Sequence, residues 1–277
     1  MATITIKGRE YDLASRTLVM GILNATPDSF SDGGRYVRLD EAVEHGLRLI
    51  AEGADIIDVG GESTRPGAKA VTTEEELYRV LPIIRTLSAA SDVPISIDTY
   101  KPEIARAALE SGAAMLNDVW GGRRNRAMLE LAAKWGVPIC LMHSRQEAIY
   151  GDLMAELTAD LKVSVALAHA AGVRSENIIL DPGIGFGKTW EHNLQVMKNL
   201  ADITSLGYPV LLGTSRKSFI GKVLDLPVGD RKEGTAATVA YGITRGVRLV
   251  RVHEVATMVR VARMTDALLR GGLEHER

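Results

Sequence analysis

Short apolar runs recur along the chain, and each is followed by a longer segment with a different pattern. The runs are rich in Ile, Val and Leu, which is typical of buried strands. In the longer segments apolar residues return every three or four positions, as on one face of a helix, and several of them end at a glycine. The pattern predicts eight strands, which begin near residues 17, 54, 93, 114, 137, 177, 208 and 247.

The spacing of these runs indicates the fold. Successive strands begin about 33 residues apart on average, which is the length of a β-strand with its crossover helix. Eight such units predict an α/β fold, a (β/α)8 TIM barrel over residues 17–270. A doubly wound open sheet would show the same alternation, although eight units are more than such sheets usually contain. The clearest helical patterns cover residues 40–53, 73–90, 101–112, 154–172, 190–207 and 254–270.

The first residues have a strand pattern of their own. Thr3–Ile6 alternates polar and apolar residues, residues 7–9 have the composition of a turn, and the alternation resumes at Tyr11. This order predicts a β-hairpin over residues 2–14, which would cover one end of the domain. Neither a linker nor a low-complexity stretch divides the sequence, so residues 1–277 are predicted to form a single domain.

Composition narrows the class of protein. The 277 residues are 46% hydrophobic, which is enough to bury a large core. The 33 basic and 35 acidic residues leave a formal charge of −2, so nucleic acid and anionic membranes are not expected partners. Cys140 is the single cysteine, which excludes an internal disulfide and fits a reducing compartment. Residues 1–15 lack an apolar signal-peptide core and no apolar run could span a bilayer, so the sequence predicts a soluble, cytoplasmic protein.

Polar residues stand where the predicted strands end. In barrels of this type the active site is built at the carboxyl ends of the strands. Because side chains alternate along a strand, every second residue points to the barrel axis. The residues that this alternation directs to the axis are Asp98, with Ser96; Asn117, with Met115; Asp181, with Ile179; and Arg251 and His253, with Leu249. Their convergence predicts a functional mouth.

Asp181 ends the most informative of these strands. It is followed by Pro182 and by a loop that carries Gly183, Gly185 and Gly187, and glycine permits turns that are closed to other residues. Burying an ionised carboxylate is costly unless it meets hydrogen-bond donors. Asp181 therefore has two interpretations. It either binds a ligand that supplies such donors, or it caps the loop or the next helix.

Two further features indicate anion binding. When a barrel closes, its last strand lies beside its first, so Arg251 and His253 come close to Asn24. Together these three side chains suit a phosphate or diphosphate. The amide oxygen of Asn24 could also hold a metal ion. The loop 213–218 leads into a helix, whose exposed N–H groups favour a carboxylate or phosphate. An Arg–His pair at a strand end can equally be a structural element.

Two loops have the composition of mobile lids. Residues 25–34 and 61–70 are rich in small and turn-forming residues, and the first of them includes Phe30, which is hard to justify in a plain surface loop. We expect both loops to become ordered over a bound ligand and to complete the mouth.

Seven segments of the sequence, taken in order, form a specific signature. They are GILNATPDSFSDGG at 21–34, GESTRPG at 61–67, IDT at 97–99, ND at 117–118, DPGIGF at 181–186, SRKS at 215–218 and RVH at 251–253. With these segments the chain resembles the dihydropteroate synthases, pterin-binding barrel enzymes of folate synthesis, over about residues 17–270. Ala25 stands where that family often has Val, a position that carries no chemistry, and the hairpin lies outside the match.

The resemblance implies three neighbouring subsites at the barrel mouth. The pterin ring would contact Asp98, Asn117, Asp181 and Lys217. The diphosphate would contact Asn24, Thr64, Arg65, Arg251 and His253. The p-aminobenzoate would contact Phe30, Pro66, Phe186, Lys217 and Ser218.

The resemblance also implies a reaction. It joins 6-hydroxymethyl-7,8-dihydropterin diphosphate to p-aminobenzoate and gives 7,8-dihydropteroate and diphosphate. Mg²⁺ bound by Asn24 would assist the departure of diphosphate, and no strong general base is required because the arylamine is neutral. The residues implied in catalysis are Asp98, Lys217, Arg251, Asp32 and Arg65.

Two other functions are compatible with a pterin-binding barrel. A methyltetrahydrofolate-type methyltransferase has no need of diphosphate contacts, so Asn24, Arg65, Arg251 and His253 argue against it. A non-catalytic pterin-binding relative would have no need of intact lid loops.

The resemblance further implies a homodimer. Apolar residues of the last helix, Val255, Met258, Val259, Ala262 and Met264, could form the interface between subunits. Packing of the same residues in the core explains the pattern equally well.

Overall fold

Strands and helices alternate through most of the chain. The computed structural model describes residues 3–25, 35–62 and 71–270. The strands are β1 (Thr3–Ile6), β2 (Arg9–Asp12), β3 (Leu18–Asn24), β4 (Ile56–Gly60), β5 (Ile95–Asp98), β6 (Met115–Asp118), β7 (Ile139–Met142), β8 (Ile178–Asp181), β9 (Leu211–Leu212) and β10 (Leu249–Val252). The helices are α1 (Arg35–Ala51), α2 (Thr73–Ala90), α3 (Pro102–Glu110), α4 (Arg126–Trp135), α5 (Leu153–Ala170), α6 (Trp190–Lys198), α7 (Leu200–Thr204), α8 (Ser218–Leu224), α9 (Lys232–Thr244) and α10 (Val255–Arg270).

Strands β3 to β10 form one parallel sheet that closes on itself. Their order is β8-β7-β6-β5-β4-β3-β10-β9, so the last strand of the chain lies beside the first strand of the barrel. The two ends of this order meet at a parallel bridge between Leu180 and Val210, beside which Leu180 N donates to Pro209 O at 2.9 Å. The structure confirms the predicted TIM barrel and excludes the doubly wound open sheet. All eight strands begin within three residues of their predicted positions.

The hairpin β1–β2 covers the end of the barrel at which the strands begin. Its side chains Ile4, Ile6 and Tyr11 are buried and share one apolar cluster with the first inward residues of the barrel strands. The barrel members of this cluster are Leu18, Met20, Ile56, Ala114, Met115, Cys140, Ile179, Leu211 and Leu249. The predicted hairpin is therefore confirmed, and it plugs the amino end of the barrel.

The helix predicted over residues 190–207 is wrong in its extent, because it is two helices, α6 and α7, that separate at Asn199. Asn199 Nδ2 donates to Gln195 O at 2.8 Å, and the Asn199 backbone leaves the helical region with φ −106° and ψ 25°. An asparagine side chain that bonds to the preceding turn competes with continuation of the helix. The other five predicted helices are present, with ends shifted by up to five residues.

A second apolar layer lies between the barrel and the surrounding helices. Helix α10 buries Val255, Met258, Val259 and Ala262 in this layer. Of the residues considered for a subunit interface only Met264, which is 60% exposed, is accessible, so core packing explains the apolar pattern of α10. Among the helices of the described ranges, none combines the length and apolar character that crossing a membrane requires.

Candidate active site

Three charged side chains meet inside the carboxyl end of the barrel. Arg251 on β10 donates from Nε to Asp58 Oδ2 on β4 at 2.6 Å, and from Nη2 to Asp98 Oδ2 on β5 at 2.7 Å. Strand β3 lies between β10 and β4, so the Arg251 side chain reaches over it. Both aspartates are buried, and a buried carboxylate is tolerated when a cation and hydrogen bonds compensate for its lost hydration.

Burial and charge together set the protonation of this group. Burial raises the pKa of Asp98 to about 7, although the Arg251 guanidinium opposes the rise, and the carboxylate of Asp58 adds to it. Burial of the guanidinium lowers the pKa of Arg251, but the charges of Asp58 and Asp98 outweigh this effect and raise the pKa. Arg251 therefore stays charged. Asp98 can consequently change between carboxylate and carboxylic acid near neutral pH.

Three buried polar atoms at this end of the barrel have no hydrogen-bond partner among the described residues. They are Asp58 Oδ1, Ser96 Oγ and Asp98 Oδ1. Asn117 stands opposite Asp98 in the strand register, and its Nδ2 donates to Asp58 Oδ2 at 3.0 Å. Because buried polar atoms are nearly always satisfied by protein, water or ligand, these atoms mark the interior of the mouth as a polar binding space.

Asp181 ends β8, and its carboxylate is held by the loop that follows. Gly183 N donates to Asp181 Oδ1 at 2.6 Å, so the capping role considered from the sequence is present. Burial raises the pKa of Asp181 to about 6, while the hydrogen bond from Gly183 and the charge of Lys217 oppose the rise. Asp181 is therefore fixed in position and is largely ionised at neutral pH.

The glycine loop after β8 packs directly against the end of β7. Gly183 has a φ of +66°, and a Cβ at this position would lie 1.8 Å from His143 O. A residue with a side chain therefore does not fit there. Farther along the loop the Phe186 ring lies beside Lys217, whose Nζ lies 4.3 Å from the ring centroid, a cation–π contact.

The ends of β3 and β10 form the opposite side of the mouth. Asn24, the last residue of β3, is half-buried and pairs with Gly60. A Cβ at Gly60 would lie 3.7 Å from Asp98 Oδ2 and 3.9 Å from Asn24 Oδ1, so the glycine leaves these two groups facing one another. The N–H of His253 donates to Ser215 Oγ at 3.2 Å, and His253 Nδ1 lies 2.8 Å from the same oxygen. Ser215 thereby fixes the His253 ring.

The structure brings several of the predicted site residues together. Asp98, Asn117 and Arg251 lie within one hydrogen-bonded group with Asp58, and Lys217 is close enough to lower the pKa of both Asp98 and Asp181. Ser218 is the exposed first residue of α8. Five predicted residues lie outside the described ranges: Phe30, Asp32, Thr64, Arg65 and Pro66.

Two residues of the group, Asp58 and Ser215, stand at predicted strand ends but are not assigned to a subsite from the sequence. Asp58 holds both Arg251 and Asn117, and Ser215 holds His253. Strand alternation does carry a signal for Asp58, because it is two positions after the inward residue Ile56. The sequence carries no comparable signal for the contact between Ser215 and His253.

The mouth offers little to a permanently bound metal ion. Within residues 3–25, 35–62 and 71–270, no three His, Cys, Asp or Glu side chains are grouped as metal ligands. Asn24 offers a single amide oxygen. Mg²⁺ commonly keeps several waters and takes one or two protein ligands together with substrate phosphates, so Asn24 fits an ion that arrives with a phosphorylated substrate.

The arrangement as a whole combines hydrogen-bond acceptors with cations. The carboxylates of Asp98 and Asp181 can accept from adjacent N–H groups of a flat heteroaromatic ring. Lys217 and Arg251 supply positive charge at the same mouth, and Asn24 with His253 lies at its other side. Such a pocket suits a nitrogen-rich ring that carries an anionic group.

Comparison with known proteins gives a consistent result. Residues 20–253 match the family described as Pterin binding enzyme. The dihydropteroate synthase of Clostridium beijerinckii (strain ATCC 51743 / NCIMB 8052) is 54% identical over 266 residues, which cover 96% of this chain and 99% of that protein.

Solved structures give the same answer at the level of the fold. The crystal structure of dihydropteroate synthase from Clostridium difficile in the presence of pteroic acid superposes with a TM-score of 0.92 at 50% identity, covering 94% of this chain and 99% of that chain. The Xanthomonas albilineans dihydropteroate synthase with 4-aminobenzoic acid also has a TM-score of 0.92, at 44% identity, covering 97% of this chain and 98% of that chain.

Proposed function

The chain belongs to the pterin binding enzyme family and has the activity of a dihydropteroate synthase, and we propose that the strand-end site described above carries out that reaction. The amine nitrogen of p-aminobenzoate bonds to the exocyclic carbon of 6-hydroxymethyl-7,8-dihydropterin diphosphate, and the carbon–oxygen bond to diphosphate breaks. The products are 7,8-dihydropteroate, diphosphate and a proton. The observation that carries the assignment to this site is the buried carboxylate of Asp181, which Gly183 N holds at the mouth and whose pKa the charge of Lys217 lowers against the effect of burial.

The pterin ring is proposed to bind at Asp98, Asn117, Asp181 and Lys217. A pterin edge presents an amine and a ring N–H side by side, and one carboxylate can accept both. Asp181 suits this role because its position is fixed by Gly183 and because it is largely ionised at neutral pH. Asn117 suits an edge that both donates and accepts, and Lys217 donates to the ring acceptors.

The diphosphate is proposed to leave towards Asn24, Arg251 and His253, with Thr64 and Arg65 added from the second loop. Asp58 and Asp98 hold the Arg251 guanidinium, so its charge is oriented before the substrate binds. Such fixed charge stabilises the negative charge that develops as the bond breaks. Ionised Asp98, with Asp32, would favour the positive charge that develops on the exocyclic carbon.

Mg²⁺ is proposed to accompany the diphosphate substrate, with Asn24 as its protein ligand. When bound, the ion supplies Lewis-acid stabilisation of the departing phosphate oxygens. The half-buried amide of Asn24 at the end of β3 is consistent with this single-ligand role.

The p-aminobenzoate is proposed to bind between the Phe186–Lys217 pair and the two lid loops. Phe186 and the stem of Lys217 present an apolar surface to its ring. Ser218, at the start of α8, is available to its carboxylate. Phe30 and Pro66 would complete the cleft from the loops.

We also propose a homodimer that works in the cytoplasm. Helix α10 leaves Met264, Leu268 and Leu269 exposed, at 60%, 74% and 50%, which supports an apolar contact between two copies. Sedimentation of the unaltered protein and of Leu268→Asp tests this, and a monomer in both cases contradicts it. The cytoplasmic location is supported by the free, buried Cys140, and cell fractionation checks it.

A methyltetrahydrofolate-type methyltransferase is not favoured, because a relative that is 54% identical is a dihydropteroate synthase. The same comparison disfavours a non-catalytic pterin-binding protein. Product analysis separates the favoured function from both alternatives, since only the favoured reaction releases diphosphate.

Asp181→Asn tests the pterin assignment. The amide presents one acceptor and one donor where the carboxylate presents two acceptors, and hydrogen bonds to charged groups contribute roughly 1.5–3 kcal/mol each. We expect affinity for 6-hydroxymethyl-7,8-dihydropterin to fall by about tenfold to a hundredfold in calorimetry. Asp266→Asn is the matched control, since Asp266 is a buried carboxylate that accepts from Thr17 N at 2.7 Å at the amino end of the barrel. Unchanged affinity in Asp181→Asn would remove Asp181 from the pocket.

A further inference from the structure

One ammonium group lies behind the glycine loop and outside the residues assigned to the substrates. Lys188 Nζ lies 2.8 Å from His143 Nδ1, and it donates to Gly183 O at 3.0 Å and to Phe186 O at 3.1 Å. An ammonium group has three donors and no acceptor. Its capacity is therefore filled by these three groups, two of which belong to the loop that follows Asp181.

These contacts fix the tautomer of His143. Because the Lys188 ammonium can only donate, Nδ1 of His143 must accept and the ring proton must be on Nε2. Nε2 then donates to Asp160 Oδ2 at 3.2 Å. The His143 side chain is fully buried, and burial, together with the charge of Lys188, lowers the pKa of His143 to about 3, so the ring stays neutral.

Asp160 on α5 anchors the outer end of this chain of contacts. Arg145 Nη2 donates to Asp160 Oδ2 at 2.9 Å, and Arg123 Nη1 lies 3.2 Å from the same oxygen. Although burial opposes it, the hydrogen bond from Arg145 and the charge of Arg123 lower the pKa of Asp160, which remains a carboxylate. Polar contacts thus run without interruption from α5 through His143 and Lys188 to the glycine loop.

We propose that Lys188 is a positioning residue for the pterin subsite, because its ammonium group holds Gly183 and Phe186 in the places that shape the pocket. The link to the substrate contacts is short. Gly183, whose carbonyl accepts from Lys188, donates its own N–H to Asp181 Oδ1 at 2.6 Å. Phe186, the second loop acceptor, carries the ring that lies against Lys217. This inference rests on the proposed function, which places the pterin at Asp181.

The contacts require that Lys188 be protonated. A neutral amine has two donors for three acceptors, so one contact is lost, or the His143 proton moves to Nδ1 and Asp160 loses its donor. Burial lowers the pKa of Lys188 to about 7, while the charge of Asp181 opposes the fall. The other charged or titratable groups that face this cluster are Arg145, Lys217, Arg123, His143, Asp160, Glu156 and Tyr150.

The affinity for a pterin should therefore depend on pH in two directions. As the pH falls below about 6, Asp181 binds a proton and loses its double acceptor, so the affinity falls. As the pH rises above about 7, Lys188 loses its proton and the loop loses a contact, so the affinity falls again. Asp98 in the same subsite, with a pKa of about 7, also titrates in this range, and its effect is common to the unaltered protein and a Lys188 variant. The loss of affinity at low pH, the acid limb, is therefore assigned to Asp181, and the part of the loss at high pH, the alkaline limb, that depends on residue 188 is assigned to Lys188.

Calorimetry with 6-hydroxymethyl-7,8-dihydropterin across this pH range tests the inference on the unaltered protein, Lys188→Met and Lys198→Met. Lys198 is the matched control, since it is an exposed lysine on the neighbouring helix α6. Near neutral pH we expect Lys188→Met to bind about tenfold more weakly, the loss typical of one hydrogen bond. Lys188→Met should lack the alkaline limb and keep the acid limb, and Lys198→Met should follow the unaltered protein throughout. The ligand's own ionisation is common to all three proteins and cancels in the comparison.

The outcomes separate this inference from the function on which it rests. If the unaltered protein fails to bind the dihydropterin at any pH, the proposed function fails. If it binds but Lys188→Met keeps the same affinity and both limbs, only the role of Lys188 is overturned. A uniform loss of affinity that preserves both limbs also contradicts the proposal, because a merely structural residue would produce it.

A measurement on the unaltered protein keeps the inference testable if Lys188→Met does not fold. Nitrogen-15 NMR of the His143 ring should show a neutral imidazole with its proton on Nε2, down to about pH 5, because of the fixed tautomer and the low pKa. Between about pH 5 and 6, where Lys188 is protonated, a proton on Nδ1 or protonation of both nitrogens would overturn it.

Discussion

Arg251 has two kinds of partner in this account: buried carboxylates in the free protein and the departing diphosphate in the reaction. Arg251→Ala should therefore weaken binding of the pterin diphosphate by at least about tenfold more than binding of the pterin alcohol that lacks diphosphate. Calorimetry with both ligands measures the difference. Equal losses for the two ligands would mean that Arg251 only holds the barrel together.

The same substitution leaves Asp58 and Asp98 without their counter-ion. We expect the free energy of unfolding to fall by roughly 2–4 kcal/mol at about pH 8, because an unpaired buried charge is destabilising. The loss should be smaller at about pH 5, where Asp98 is protonated and needs no partner. Denaturant titrations at the two pH values check this, and a loss that does not depend on pH would contradict the ion pairing.

The carboxylates of Asp98 and Asp181 also affect the stability of the free protein. Burial raises their pKa values from 3.8 to about 7 and about 6. At pH values between the unfolded-state and folded-state pKa values, the folded protein binds protons that the unfolded chain does not. The free energy of unfolding therefore falls as the pH rises through this range. Asp181→Asn removes one such group and should be more stable than the unaltered protein at about pH 8, by on the order of 1–3 kcal/mol.

The gain from Asp181→Asn should shrink towards about pH 4, where the unfolded chain is also protonated. Urea titrations at several pH values measure the trend. A variant that is less stable at high pH would show that Asp181 contributes more through its bond to Gly183 than its burial costs. The expected trade of stability for binding is common at functional sites.

At the scale of single residues, the sequence predicts which way a side chain points better than it predicts which residues that side chain contacts. Strand alternation predicts that Asp98, Asn117 and Arg251 point inward, and they share one hydrogen-bonded group. It cannot predict that Arg251 reaches over β3 to Asp58, since that depends on side-chain length and barrel curvature. Lys188 carries no signal at all, because its three acceptors come together only in the folded loop.

At the scale of elements, the hairpin can be separated experimentally from the site. Ile6 is fully buried in the cluster at the amino end of the barrel. Ile6→Ala should lower the free energy of unfolding by roughly 2–4 kcal/mol and leave pterin affinity unchanged, as measured by denaturant titration and calorimetry. Thr5→Ala, at the neighbouring exposed position, is the control and should change little. A matching loss of pterin affinity in Ile6→Ala would contradict this separation of roles.

The elements themselves are well predicted wherever periodicity is strong. The eight barrel strands are apolar because both of their faces are buried, and this makes them visible in the sequence. The α6–α7 break at Asn199 was not predicted, because apolar spacing continues across it, and the interruption shows only in the structure, as the Asn199 backbone angles and the side-chain bond to Gln195 O. The helices α4, α8 and α9 are not among the clearest helical patterns; α9 contains Gly234 and Gly242, which weaken a helical signal.

At the scale of the whole molecule, the barrel assigns its two ends to different tasks. The amino end is filled by apolar side chains and covered by the hairpin, whereas the carboxyl end gathers Asp58, Asp98, Asp181 and Arg251. This division is general in such barrels. The contribution of the lid residues Phe30, Asp32, Thr64, Arg65 and Pro66 stays a prediction, since they lie outside the described residues.

The central claim is that this carboxyl end joins a pterin to p-aminobenzoate. The most direct measurement is an incubation of the protein with both substrates, with Mg²⁺ and with a chelator in its place, in which dihydropteroate and diphosphate are both quantified. The account predicts equal amounts of the two products with Mg²⁺, far less with the chelator, and a strongly reduced rate for Asp181→Asn. Folded protein that forms no dihydropteroate, or an Asp181→Asn variant as active as the unaltered protein, would contradict it.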